Sequence, residues 1–213
     1  MTQPDPTPAP PTAPDESALL ARVRAGDRTA LNELLAAYQG RLYNICLRMV
    51  GNRDDAAEAT QEALLKAVQH IDRFRGEAKL STWLIRIATN EATTHLRRRR
   101  IRRAASLEAS HDGQTDGDAH TLRHRLTDQR EPPPEQRVQQ DETLQRIEAA
   151  LDQLDPDFRA VLVLRDIDQM DYQQIAEVLE TPIGTVKSRL FRARLALREQ
   201  LTETERPDNG QAT

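Results

Sequence analysis

The sequence predicts an all-α protein made of two small helical domains, a four-helix domain and a helix-turn-helix domain, joined by a flexible linker. Apolar residues recur at helical spacing through most of 17–103 and again through 141–201. The chain has only eight glycines and few runs of β-branched residues, which argues against a sheet. Between the two periodic stretches, 104–140 shows no sustained periodicity and contains a proline triplet.

Composition supports small domains and shows where the charge is concentrated. Apolar content of 38% with 30% charged residues suits small helical units better than one large core. The net charge of −4 hides a basic cluster, since Arg97–Arg103 (RRRRIRR) holds six arginines. A nucleic acid is the natural partner of such a cluster.

The start of the chain and its single cysteine indicate an intracellular protein. The first fourteen residues include six prolines without the pattern of a signal peptide, so 1–16 is predicted to be a disordered tail. No apolar run approaches the roughly 18 residues that cross a bilayer, so we expect a cytoplasmic protein without membrane insertion. Cys46 excludes an internal disulfide, and its apolar neighbours predict a small buried side chain.

Four helices are predicted in 17–103 from local start and stop signals. The third is marked by Leu64, Leu65 and Val68. A side chain that can cap a helix, or an acidic first turn, marks a start, and glycine marks a stop. These signals are Gly26, Asp27, Gly51, Asp54 with Asp55, and Ser81.

The fourth helix has two different sides. Leu84, Ile87 and Ala88 cluster on one side and are predicted to be core. The other side alternates arginine with short hydrogen-bonding side chains, as a nucleic-acid strand requires. An ordinary polar face with a basic C-terminal end is the alternative. The residues of this stripe are Arg86, Asn90, Thr93, Arg97 and Arg100.

The stretch 104–140 is predicted to be an acidic flexible linker. It carries seven acidic against four basic residues. Its three histidines (His111, His120 and His124) lack the spacing of a metal site and are interpreted as solvated. The segment 202–213 is predicted to be a tail.

A helix-turn-helix is predicted at Asp171–Leu197. Asp171 and Gln174 form a capping-box pattern, and Thr181-Pro182 starts the second helix. Val186, Leu190, Ala193 and Leu197 form an apolar stripe on it, and no acidic residue occurs in 181–198. This pattern suits a major-groove helix; a solvated arginine-rich face is the alternative. The polar face contains Ser188, Phe191 and Arg192, flanked by Lys187, Arg194 and Arg198 on one side and Arg189 on the other.

Catalytic signals are missing from the sequence. No nucleophile–base pair, glycine-rich phosphate loop or metal-ligand spacing occurs. We therefore expect a protein that is not an enzyme and uses no cofactor and no metal.

Two segments, QEALLKAVQHIDRFRGEAKLSTWLIRIATNEATTHLRRRR and LDPDFRAVLVLRDIDQMDYQQIAEVLETPIGTVKSRLFRARLAL, resemble the second and fourth conserved regions of bacterial sigma factors. The short chain without a third domain resembles the extracytoplasmic-function (ECF) group. The resemblance implies a factor that directs core RNA polymerase to promoters and helps open the −10 element. Its implied partners are core polymerase, promoter DNA and an anti-sigma factor. A stand-alone helix-turn-helix regulator is the alternative, but it would leave the first domain unexplained.

The resemblance also implies roles for individual residues. Core polymerase would contact Asp55, Glu58, Gln61 and Glu62. The −10 element would contact Phe74, Arg86, Asn90, Thr93, Arg97 and Arg100. The −35 element would contact Thr185, Lys187, Ser188, Arg189, Phe191, Arg192 and Arg194. Glu180 stands where the family usually has a turn glycine, and a left-handed conformation there would cost about 1 kcal/mol or more. The turn is therefore expected to be either strained or differently shaped.

Overall fold

A computed structural model describes residues 13–74, 76, 78–109, 146–147 and 149–204, which contain helices and no strand. We call α1–α4 the first module and 146–204 the second module. A 3-10 turn at Ile71–Arg73 follows α3, and a π-helical segment at Val163–Ile167 follows α5. Most of the predicted linker and both chain ends lie outside the described residues. The helices are α1 (Ala13–Arg24), α2 (Arg28–Val50), α3 (Arg53–His70), α4 (Leu80–Ala109), α5 (Pro156–Leu162), α6 (Tyr172–Leu179) and α7 (Ile183–Thr204).

Local capping signals position the helix ends. The Asp27 carboxylate accepts hydrogen bonds from the backbone N–H groups at the start of α2, at 2.9 and 3.1 Å. Gly51 ends α2 in the left-handed conformation, and the Asn52 side chain then caps α3. The predicted Asp27 cap and Gly51 stop are confirmed, whereas the Asn52 cap is a finding of the structure. Ser81, predicted to cap α4, lies inside its first turn instead, because the helix begins at Leu80.

Three helices extend past the predicted domain limits. The first, α1, begins at Ala13, within the segment predicted as a tail, and α7 continues to Thr204. The longest, α4, passes the predicted limit at 103 and ends at Ala109. Alanine and arginine have high helix propensity, which favours this extension.

Small side chains form the buried face of α3. Its stripe of buried alanines lets the helix approach α2 and α4 closely. Leu65 and Val68, which mark the helix in the sequence, point outward and are exposed. The buried alanines are Ala56, Ala59, Ala63 and Ala67.

The two modules share one continuous core. Arg159 of α5 is almost completely buried and donates to the Arg48 carbonyl of α2 at 3.3 Å. Its guanidinium also pairs with Asp152 at 2.7 Å, so the buried charge is compensated. Gly51 leaves the space that this guanidinium occupies, since a Cβ there would lie 3.2 Å from it.

Cys46 is fully buried in the first module, as predicted. Its thiol lies 3.8 Å from the Ala88 carbonyl, to which it donates a weak hydrogen bond. Burial raises the pKa of Cys46 to about 11, so the thiol stays neutral at physiological pH.

Candidate nucleic-acid interface

The helix-turn-helix is formed by α6 and α7. The capping box is present, since Asp171 accepts from the Gln174 N–H at 2.8 Å and Gln174 accepts from the Asp171 N–H at 3.0 Å. The turn passes through Glu180, which adopts the left-handed conformation (φ 50°, ψ 42°). A side chain in this region costs about 1 kcal/mol relative to glycine. Of the two alternatives, the structure has the left-handed turn, and Glu180 makes it strained.

The predicted reading face of α7 is outward-facing. Val186, Leu190 and Ala193 are buried against the second module, which fixes the rotation of the helix. On the opposite side Phe191 is 71% exposed, and Arg192 is also exposed. An exposed phenylalanine next to an arginine can contact thymine methyl groups and base edges in a major groove.

The other predicted −35 residues make contacts within the second module. The Ser188 hydroxyl donates to the Thr185 carbonyl at 3.0 Å, and both residues are half-buried. Lys187 is exposed, and its ammonium lies 5.7 Å from the centre of the Tyr172 ring. Arg194 pairs with Asp166, and Arg189 lies 4.0 Å from Asp157.

The predicted −10 stripe of α4 lies partly under the second module. Asn90 is exposed. Arg86 pairs with Glu180 at 2.8 Å, and Arg97 pairs with Asp157 at the same distance. Arg100 lies 3.7 Å from Asp155.

Two predicted −10 residues do not reach the surface. Thr93 is only 9% exposed, so it does not share the open surface of Asn90 on the same stripe. Helical phase alone cannot show that a second module covers part of the outer face of α4. Phe74 is also buried and packs on Trp83, with ring centroids 5.5 Å apart.

The predicted polymerase-docking residues line the exposed side of α3. Glu58 and Gln61 face outward. Glu62 lies 3.2 Å from the buried His95. Burial acts to raise the pKa of Glu62, but the hydrogen bond and charge of His95, together with smaller contributions from Glu91 and Arg98, leave this pKa below its usual value. Asp55 accepts a hydrogen bond from the Asn52 side chain at 2.7 Å.

Sequence reasoning missed the apolar part of this surface. Leu65 is 58% exposed and Val68 is 43% exposed. Both continue the helical stripe that begins with Glu58 and Gln61. A groove of about 470 Å³ between α2 and α3 lies beside this stripe. The sequence contains the signal for this stripe. Leu65 lies seven residues after Glu58 and four after Gln61, and Val68 lies seven after Gln61, which places all four on one helix face.

One group of described residues has metal-ligand chemistry. Asp55, Glu58 and His95 each offer one ligand atom, and these atoms lie within 4.8 Å of one another. However, the Arg99 guanidinium lies 3.8 Å from Asp55, and His95 bonds Glu62. A neighbouring cation opposes metal binding, so we interpret the group as part of an ion-pair network.

The fold and its basic helices define a helical DNA-binding protein with a helix-turn-helix. Residues 34–102 match the family model for Sigma-70 region 2, and 144–197 match that for Sigma-70, region 4. The RNA polymerase sigma-H factor of Pseudomonas aeruginosa is 35% identical over 89% of this chain and 95% of its own length. The ECF RNA polymerase sigma factor SigW of Bacillus subtilis is 34% identical over 86% of this chain and 95% of its own.

The chain therefore belongs to the sigma-70 family of RNA polymerase sigma factors, in its ECF group. CnrH in complex with the cytosolic domain of CnrY has a similar fold, with a TM-score of 0.58 at 21% identity, covering 90% of this chain and 99% of that one. RpoE in complex with the anti-sigma factor NepR from Bartonella quintana gives a TM-score of 0.56 at 24% identity, covering 82% and 98%. The alternative of a stand-alone regulator is not favoured, because the family matches include both modules. Among the described helices, none has the length and hydrophobicity needed to cross a membrane.

Proposed function

We propose that this sigma factor divides its contacts among three helices. The core polymerase docks on α3, the single strand of the −10 element binds α4, and the −35 duplex is read by α7. The domain limits proposed with this division are 17–103 and 141–201, with 104–140 as linker. The main support for this division of contacts is the predicted reading face of α7. This face is exposed and basic, and no acidic residue occurs in 181–198.

Phe191 and Arg192 are proposed as the central −35 contacts. Arg192→Ala should weaken −35 binding by about 1–3 kcal/mol and make transcription less sensitive to changes in the −35 sequence. Arg198→Ala is the matched control, since this exposed arginine lies on the flank of the same helix and suits a phosphate contact. If Arg192→Ala lowers binding equally on all promoters and on random DNA, Arg192 contacts phosphate only.

Asn90 and the arginines of α4 are proposed to hold the −10 strand. Asn90 is the exposed amide of the stripe, and amides can read the edges of unpaired bases. Phe74 would stabilise this site through its packing on Trp83. Because Thr93 is buried, it can contact the −10 strand only if the residues that cover it move away. Asn90→Ala should reduce transcription most on promoters with the preferred −10 sequence, and an equal loss on all promoters would contradict base reading.

Glu58 and Gln61, with the exposed Leu65 and Val68, are proposed to contact the core polymerase. Glu58→Lys or Leu65→Asp should abolish capture of the chain by immobilised core polymerase. Both side chains are already exposed, so the helical circular dichroism should be unchanged. Glu177→Lys, an exposed charge reversal on α6, is the control. Normal capture of both α3 variants would remove α3 from the docking surface.

We also propose that the chain acts in the cytoplasm, catalyses no reaction itself and is held by an anti-sigma factor. The cytoplasm is proposed because the core polymerase, its proposed partner, acts there. Support for the last point is that RpoE was solved in complex with an anti-sigma factor, and the chain shares its fold.

Run-off transcription tests the proposal as a whole. Core polymerase is incubated with a genomic promoter library, with and without the full chain. New transcripts that share −10 and −35 elements are expected only when the chain is present. Specific duplex binding by the chain alone, without new transcripts, would instead support a stand-alone regulator.

A further inference from the structure

A row of ion pairs joins α3 to α4 within the first module. Its members on α4 stand four residues apart, so each lies about one turn after the one before it. Later positions of α4 pair with earlier positions of α3, because the two helices run antiparallel here. The pairs among the described residues are Lys66 with Glu91 at 2.7 Å, Glu62 with His95 at 3.2 Å, and Asp55 with Arg99 at 3.8 Å.

The two sides of this row differ in their exposure to solvent. The paired side chains of α4 are only 7–18% exposed, so a large partner cannot reach them directly. The paired side chains of α3 are 29–49% exposed. Buried groups of α4 therefore hold charged groups of α3 that remain accessible at the surface.

Glu62 is the middle member of the row on α3 and belongs to the predicted polymerase-docking residues. It lies one turn after Glu58 and directly after Gln61, both of which face outward. Its carboxylate lies 3.2 Å from Nε2 of His95. Because an ionised carboxylate can only accept a hydrogen bond, Nε2 of His95 is the donor in this contact.

The contact between His95 and Glu62 affects orientation more than stability. An ion pair with one member open to water contributes little to folding, and an apolar side chain would fill the place of His95 without needing a partner. A free glutamate on a helix surface samples several rotamers, and fixing one of them in an interface costs conformational entropy. The bond from His95 restricts Glu62 before any partner binds.

Resting on the proposed docking role of α3, we propose that His95 is a positioning residue for the binding of core polymerase. From its buried place on α4, it holds the Glu62 carboxylate in the orientation that a cationic group of the polymerase binds. His95 does not contact the polymerase itself, and its effect on docking acts through Glu62.

The affinity of the full chain for core polymerase, measured by fluorescence anisotropy with a label at the chain N-terminus, tests this role. His95→Leu removes the donor and should weaken binding about 2- to 10-fold, the usual cost of immobilising one flexible side chain. His95→Gln keeps an N–H donor and should stay within about twofold of the parent. If His95→Leu lacks native helical content in circular dichroism, His95→Met takes its place. Loss of affinity that is equal in the leucine and glutamine variants would overturn the positioning role.

Tyr38→Phe is the matched control for a general loss of stability. It removes a hydrogen bond from a buried hydroxyl to Glu16 in the same module, away from the seam between α3 and α4. Its core affinity should equal that of the parent. If Tyr38→Phe weakens core binding as much as His95→Leu, the effect comes from stability and the positioning role is overturned.

A double-mutant cycle tests whether His95 acts through Glu62. Glu62→Ala should weaken core binding at least as much as His95→Leu. In the Glu62→Ala background, His95→Leu should change the affinity less than about twofold, because no carboxylate remains to be held. The same loss from His95→Leu in both backgrounds would overturn the proposal.

The titration of Glu62 gives a second measurement that needs no polymerase. Burial raises the pKa of this carboxyl and the contact with His95 lowers it, so His95→Leu should raise it. Carboxyl-detected NMR of the full chain follows this pKa, and an unchanged value would overturn the contact.

These measurements separate the role of His95 from the docking role of α3. Normal core affinity of Glu62→Ala, together with lost capture of Leu65→Asp, overturns the role of His95 and leaves the docking surface standing. Normal capture of both Leu65→Asp and Glu58→Lys overturns docking on α3 and the positioning role with it, even where the pKa of Glu62 responds to His95→Leu.

Discussion

The capping box of the helix-turn-helix allows a quantitative test of how the reading helix is supported. Asp171 accepts from the Gln174 N–H at 2.8 Å, and the Gln174 side chain accepts from the Asp171 N–H at 3.0 Å. Asp171→Ala removes the first bond and leaves the side chain of Gln174 less well oriented for the second. Because α6 (Tyr172–Leu179) has only eight residues, it cannot form a stable helix alone and depends on its cap and its packing.

The expected cost is about 1 kcal/mol, the usual value for an N-cap, rising toward about 2 kcal/mol if the second bond weakens. Gln174→Ala removes only the return bond and should cost about 0.5–1 kcal/mol. In the double variant the two costs should not add, since the bonds orient each other. A 1 kcal/mol loss corresponds to about fivefold faster amide exchange in α6 when exchange follows local opening.

Hydrogen exchange followed by mass spectrometry measures this change separately for each helix. In Asp171→Ala, peptides from α6 should exchange about fivefold faster, whereas peptides from α2 serve as an internal control. Acceleration below about twofold in α6, or equal acceleration in α2, would refute the view that the cap supports the helix-turn-helix locally.

Three further substitutions test other parts of the structure. Burial raises the pKa of Cys46 from 9.0 to about 11, so the stability contributed by the neutral thiol is complete below pH 9 and is lost as the pH rises toward 11. Thermal melts of Cys46→Ala should therefore fall less over this range than those of the parent. Arg159→Met removes the buried hydrogen bonds to the Arg48 carbonyl and the pair with Asp152, and should cost about 2–4 kcal/mol in urea unfolding. Gly51→Ala places a side chain at φ 84° with its Cβ 3.2 Å from the Arg159 guanidinium, and should cost about 1–2 kcal/mol in the same assay; an unchanged midpoint would contradict this.

Features set within a few neighbouring residues could be predicted from the sequence. The Asp171 capping box, the buried stripe of α7 and the Gly51 stop each depend on side chains one or two turns apart. The family pattern left two alternatives for the turn at Glu180, a strained left-handed residue or a different shape, and the structure has the left-handed one. The matches to both sigma regions confirm the fold and family inferred from the two motifs.

Features that depend on long-range packing could not be predicted in this way. In α3 the larger Leu65 and Val68 mark the apolar periodicity, but the alanine stripe is buried because α2 and α4 pack closely against it. Glu91 of α4 is buried, and its partner, Lys66 of α3 at 2.7 Å, cannot be identified from helical spacing. Thr93 lies on the polar side of α4 by phase, yet it is buried. No periodicity identifies which distant helix will cover a given face.

The charge distribution shows why the net charge of −4 says little about the partners of this chain. At the junction of the two modules, each negative charge from the second module neutralises a positive charge of α4, as in the pair of Asp157 with Arg97. The outward face of α7 has no acidic residue within 181–198 and keeps its positive potential. Pairing within the chain therefore uses arginines of α4 that are also proposed to hold DNA. In α7 it uses Arg189 and Arg194 and leaves Phe191 and Arg192 exposed. Salt weakens the ion pairs within the chain as well as contacts to nucleic acid. Ionic strength should therefore change the binding of a nucleic acid to α4 less than it changes duplex binding by α7.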